Sequence, residues 1–92
     1  MSMSKLLQDL NIGINLQRLR KAKGLTQTDL CAQLGIMGRP MLQSTYAQIE
    51  SGTRNIFVSD LIAVKRILGV DYAEFFKDLE PINKYELMDE EQ

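Results

Sequence analysis

Helical spacing of apolar residues organises most of the chain. Ile12, Leu16 and Leu19 stand at i, i+4 and i+7 and predict a first helix with one buried stripe, opened by Asn11 and ended by Gly24. Leu30 and Leu34 mark one face of a second helix over Gln27 to Leu34, with Thr26 as N-cap, Gln27 and Asp29 in the first turn and Gly35 as a left-handed C-terminal cap. A third helix is bracketed by Pro40, tolerated only near a helix start, and by Ser51-Gly52; its body is Ser44 to Glu50. Between these two, Met41 or Leu42 is placed to return to the core as an anchor. Leu61, Val64 and Leu68, widened by Ile62 and Ile67, give a fourth helix closed by Gly69. Asp71-Tyr72-Ala73-Glu74 has the D-x-x-E spacing of a capping box and opens a short fifth helix that offers Phe75, Phe76 and Leu79 to the core before Pro81.

The ends are less determined. Leu6, Leu7 and Leu10 follow the possible caps Ser2 and Ser4 at helical spacing, either as a frayed segment folded onto the domain or as a dimer contact. The tail from Asn83 to Gln92 sets Tyr85, Leu87 and Met88 among acids, as a disordered end or a partner-binding helix. The pattern is all-α and divides into a 1–10 extension, an 11–80 domain and an 81–92 acidic tail.

The third helix departs from the others in having few large apolar residues. Gln43, Ser44, Thr45 and Gln48 surround only Tyr46, Ala47 and Ile49, so one narrow face is available for burial. Two readings fit: an ordinary solvated surface helix, or a helix that reads DNA. Gln pairs bidentately with adenine edges, Ser and Thr contact base or phosphate, and a helix ~10–12 Å across fits the major groove.

Composition narrows the classes. Ninety-two residues make one small domain and exclude a multidomain enzyme. The 45% apolar and 25% charged content is that of an ordinary globular protein, with no membrane-length apolar run and no signal-type N-terminal segment, which points to the cytoplasm. One Cys allows no internal disulfide, and zero His leaves no plausible zinc or haem set and removes the commonest general base. No nucleophile–base pair, metal set or phosphate-cradling glycine loop is legible, so neither an enzyme nor a cofactor is expected. A net charge of −1 argues against an obvious polyanion binder, but the charge is polarised. Residues 1–54 carry seven basic and three acidic groups, a net +4, whereas residues 55–92 carry four and nine, a net −5. A basic half that contains the polar third helix suits a DNA reader, and an acidic far side limits indiscriminate binding.

Ile12-Gly13, Leu16, Leu19-Arg20, Lys23-Gly24-Leu25-Thr26-Gln27, Leu30, Leu34-Gly35, Ile49-Glu50, Ser51-Gly52, Arg54, Leu61 and Leu68-Gly69-Val70 together resemble the Xre/Cro family of helix-turn-helix repressors, over Asn11 to Leu79. Two departures stand out. The turn between the paired helices is lengthened by about five residues, over Ile36 to Leu42. Where many relatives have Pro then Ser, this chain has Ile56-Phe57, which moves the expected start of the fourth helix to a cap at Ser59.

The resemblance implies a five-helix, phage-repressor-like fold and a sequence-specific, double-stranded-DNA-binding repressor that works as a homodimer. It implies that Gln43, Ser44, Thr45 and Gln48 face bases, that Thr26, Gln27, Arg39, Arg54 and Asn55 contact the DNA backbone, and that Arg20 and Glu50 form an ion pair. Cys31 falls where the family has a small packed residue and is expected as a buried small hydrophobe. Arg18, Lys21 and Lys23, on other faces of the first helix, are either solvated charges or phosphate contacts. The competing class is a protein-interaction module on the same fold, a scaffold or anti-repressor; apolar residues on the third helix's outer face would favour it, and Gln, Ser and Thr favour DNA.

Overall fold

A short polar turn starts the first helix. The Asn11 side chain accepts the Gly13 N–H at 2.7 Å, and α1 runs Gly13–Ala22 with Ile12 as its N-cap. In the computed structural model, which describes residues 5–6, 11–83 and 85, the chain continues through α2 (Gln27–Ile36), α3 (Gln43–Ser51) and α4 (Val58–Leu68) to a short 3₁₀ helix (Tyr72–Phe76). Two two-residue strands, β1 (Lys5–Leu6) and β2 (Ile56–Phe57), pair antiparallel with Lys5 opposite Phe57 and Leu6 opposite Ile56. Among the described residues the architecture is all-helical apart from this minimal ribbon.

The predicted stripes form one core. Leu16, Leu30, Leu34, Tyr46, Ile49, Ile56, Val64 and Phe75 are essentially fully buried, with Leu25, Cys31, Met41, Ile67 and Leu79 packed around them. α3 sits between α1 and α2, and α2 also packs on α4. Of the two candidate anchors in the long turn, Met41 returns to the core and Leu42 stays exposed. Among the described residues no helix is long and apolar enough to cross a membrane.

Four local expectations need correction. α2 does not stop at Leu34 with Gly35 as its cap; it extends to Ile36, and the left-handed residue is Gly38, at φ 82°. There the Arg39 N–H donates to Leu34 O at 2.9 Å and the Gly38 N–H to Gly35 O at 3.1 Å, a paired closure that satisfies two terminal carbonyls at once and favours the later stop. α4 starts at Val58 rather than after a Ser59 cap, because β2 delivers the chain in extended conformation up to Phe57 and Asp60 then supplies negative charge to the first turn.

Instead of a fifth α-helix the chain forms the 3₁₀ helix, and Asp71 makes no side-chain capping bond. The buried Asn15 explains this stop. Its Nδ2 donates to the carbonyls of Phe75 and Lys77, both at 2.9 Å, so Phe75 O is held by a side chain of α1, while the Leu79 N–H turns back to Phe76 O at 3.1 Å. Finally, Lys5–Leu6 is strand rather than helix: the edge of Ile56–Phe57 offers ladder bonds that helical periodicity does not foresee. Leu7, Leu10, Leu87 and Met88 lie outside the described residues.

Candidate nucleic-acid interface

The geometry of α3 is set from its buried side. Tyr46, Ile49 and Glu50 face inward, whereas Gln43, Ser44 and Gln48 are exposed and Thr45 is half-buried. Polar residues on one side and a core anchor on the other make the helix a fixed rod with a hydrogen-bonding surface. Gly52, at φ 84°, ends it with the same paired closure: the Thr53 N–H donates to Gln48 O at 2.9 Å and the Gly52 N–H to Ile49 O at 3.2 Å.

Arg20 fastens this rod to α1. Its Nε donates to Glu50 Oε2 at 2.7 Å, its Nη2 to Glu50 Oε1 at 3.1 Å and its Nη1 to Leu25 O at 2.8 Å. The pair is buried, so the ion pair expected from the sequence is present and fully engaged. Burial alone would raise the Glu50 pKa, but hydrogen bonds from Arg20 and Gln27 outweigh it and hold the carboxyl below the ordinary range. The bond to Glu50 in turn raises Arg20. Burial, then the neighbouring carboxylate, pushes the Tyr46 hydroxyl far above its usual value, so it stays protonated; it is enclosed beside the pair without meeting hydrogen-bond geometry to it. Partial burial likewise pushes the Cys31 thiol up; Cys31 packs against the core but is half-buried rather than buried as expected.

The network reaches the outer surface. Gln27 Nε2 donates to Glu50 Oε1 at 3.2 Å, and Gln43 Nε2 donates to Gln27 Oε1 at 2.6 Å. A continuous chain of side chains thus runs from the buried Arg20 to the exposed start of α3. Thr26 caps α2 as expected, and Asp29 completes a reciprocal box: Thr26 Oγ1 accepts from the Asp29 N–H at 3.0 Å and Asp29 Oδ2 from the Thr26 N–H at 2.9 Å. The Thr26 N–H and then its hydroxyl lower the Asp29 pKa.

Arg54 and Asn55 lie exposed just past α3, and Arg54 Nε donates to Gln48 Oε1 at 2.8 Å, which orients one polar residue of the helix from behind. Thr45, Arg54, Asn55 and Asp60 share the walls of an open hollow of about 300 Å³. Arg39 pairs with Asp60 at 2.7 Å. Arg18, one of the candidate surface cations, instead reaches the 3₁₀ helix, with Nη2 donating to Glu74 O at 3.3 Å and standing 3.9 Å from the Glu74 carboxylate. Sequence reasoning missed Asn15, Asp60 and the Gln43–Gln27 link. A buried Asn inside an apolar stripe was the available signal for the first; the other two are long-range pairings with no local signature.

The helix-turn-helix domain family matches residues 11–75, which spans α1 through Phe75 of the 3₁₀ helix. The chain belongs to this family, in its Xre-like branch. Among curated proteins it is similar to control protein C.MunI of Mycoplasma sp, 32% identical over 72 residues that cover 77% of this chain and 90% of that protein. It is also similar to the uncharacterized HTH-type transcriptional regulator y4dJ of Sinorhizobium fredii, 36% identical over 63 residues, 68% of this chain and 75% of that protein. No solved structure matches. In helix-turn-helix terms α2 and α3 are the paired helices, and the residues between Ile36 and Gln43 are the lengthened turn.

Proposed function

We propose that the protein is a transcriptional regulator that binds a double-stranded DNA operator by laying α3 in the major groove. Gln43, Ser44, Thr45 and Gln48 then face base edges, while Thr26, Gln27, Arg39, Arg54 and Asn55 hold the phosphate backbone, a division between reading and positioning. The observation that carries this reading is the polar outer face of α3 on a helix clamped from within by Arg20 and Glu50. A groove reader needs that combination, because base-edge hydrogen bonds discriminate only when the donors are held in register. Two curated relatives, one named a control protein and the other a transcriptional regulator, support the regulatory role. The protein acts in the cytoplasm as a homodimeric repressor that spans two half-sites.

The test is binding of the purified protein to duplex fragments from upstream of its own coding region and to random duplex of equal length, titrated against salt. A preference for the upstream fragment of about 10³-fold or more, with a steep loss of affinity as salt rises, supports the reading. Equal, weak binding to every duplex transfers the function to protein interaction.

A further inference from the structure

Arg39, in the lengthened turn, is fixed at both ends. Its backbone N–H closes α2 on Leu34 O at 2.9 Å, and its side-chain Nε donates to Asp60 Oδ1 at 2.7 Å. Asp60 belongs to the first turn of α4 and keeps only 10% of its side chain exposed, whereas Arg39 keeps 31%. The guanidinium is therefore gripped along one edge by a largely covered carboxylate. Its two Nη groups form no hydrogen bond to another described residue. Asp60 also walls the hollow that Thr45, Arg54 and Asn55 line, so the pair stands on the side of the molecule already assigned to DNA.

We propose that Asp60 is a positioning residue for DNA binding: it holds Arg39 by the Nε edge so that both Nη groups are presented, in one plane, to a backbone phosphate. The inference rests on the reading of α3 as a groove reader and adds to it a role for the lengthened turn as a second phosphate grip. A planar fork suits a phosphate bidentately, and a guanidinium immobilised by folding loses less freedom on binding than a free one. A surface carboxylate beside DNA would ordinarily repel it. Here the carboxylate lies behind the cation it orients, and its removal is expected to weaken binding although the protein gains one unit of positive charge.

That inverted sign is the test. Wild type, Asp60→Ala, Arg39→Gln and the double variant are titrated against salt on the upstream duplex and on random duplex, with circular dichroism and thermal melting in parallel. Arg39→Gln is expected to lower affinity for both duplexes and to flatten the salt slope by about 0.9, the contribution of one phosphate. Asp60→Ala is expected to lower affinity by about threefold or more, the scale of one lost orienting hydrogen bond. The double variant is expected to bind no more weakly than Arg39→Gln alone, since Asp60 acts through Arg39. Tighter or unchanged binding by folded Asp60→Ala, or additive losses in the double variant, would overturn the proposal. If Asp60→Ala fails to fold, Arg39→Gln decides it: an unchanged salt slope overturns it. Absence of duplex preference in the wild type removes the functional reading itself, whereas a binding wild type with an indifferent Arg39→Gln removes only this inference.

Discussion

Arg20 of α1 and Glu50 of α3 hold each other through two bonds, at 2.7 and 3.1 Å, with 7% and 4% of their side chains exposed. An exposed pair of this kind would be worth under ~1 kcal/mol, but removal of one partner from a buried, bidentate pair leaves an uncompensated charge and costs ~3–5 kcal/mol. Arg20→Met is accordingly expected to lower the unfolding free energy by that amount, read as a lower denaturation midpoint at an unchanged denaturant slope. A loss below ~1 kcal/mol would mean that Glu50 finds water or another donor and that the clamp does not fix α3.

Legibility followed sequence separation. The stripes of Ile12-Leu16-Leu19, Leu30-Leu34 and Leu61-Val64-Leu68 were legible because helical burial repeats locally, and each is buried as the spacing predicts. The Arg20–Glu50 pair is long-range, and only the family resemblance pointed to it. Gly35 and Gly38 are both acceptable left-handed caps in sequence; the choice depends on which closure Arg39 and Leu34 complete. The 3₁₀ helix was unreadable because Asn15, sixty residues away, takes the Phe75 carbonyl. The outer face of α3 was legible as a composition, but not that Gln43 leans on Gln27 or that Arg54 reaches Gln48.

Acid should weaken the fold through the same carboxyl. The folded-state pKa values of Glu50 and Asp29 are both lowered, so each contributes stability that is present above its unfolded value, about 4.3 for Glu and 3.9 for Asp, and is lost as pH falls through the folded value. Between about pH 5 and 7 neither group changes charge in either state, and stability is flat on their account. Glu50→Gln removes one of these two linkages, and its stability should fall less steeply with acid than that of the wild type. Parallel pH profiles for the two proteins would show that Glu50 titrates alike folded and unfolded.

The junction of α1 with the end of α3 leaves no room for a side chain at Gly13. A Cβ there would lie 1.8 Å from Glu50 O and 2.6 Å from Asn11 Oδ1. The obstacle is backbone, so relief requires the two helices to separate. Gly13→Ala should therefore cost at least ~1–3 kcal/mol in spite of the higher helix propensity of alanine. Gly35→Ala is the control, since nothing lies within 4 Å of a Cβ at that helical position, and it should be neutral or stabilising by up to ~1 kcal/mol. Equal melting temperatures for the two variants would refute the close approach.

On DNA, the two glutamines of α3 should behave differently from a phosphate contact. Gln48→Ala is expected to weaken upstream-duplex binding by about 1–3 kcal/mol and to relax base preference, with non-specific binding barely changed, because base readout is lost. Gln43→Ala should do the same and in addition free Gln27, which loses the 2.6 Å bond from Gln43. Uniform losses across all sequences would reassign both glutamines to the backbone.

Assembly is the remaining prediction. A single α3 spans only a few base pairs, and helix-turn-helix proteins reach useful affinity by occupying half-sites roughly 34 Å apart, which calls for two copies. Such a contact is expected on the region after α4, where Tyr72 is 45% exposed, Phe76 50% and Tyr85 79%. Phe75, offered to the core by the sequence, is completely buried there, so the predicted contact falls to its exposed neighbours. This half of the chain is also the acidic one, which keeps it away from phosphate when α3 is engaged. Deletion of residues 82–92, which removes Tyr85, should lower the dimer mass in sedimentation and weaken binding to a palindrome more than to one half-site. If the truncated protein keeps its dimer mass and its palindrome affinity, the interface belongs to the N-terminal extension instead, and substitutions of Leu7 and Leu10 should then dissociate the dimer.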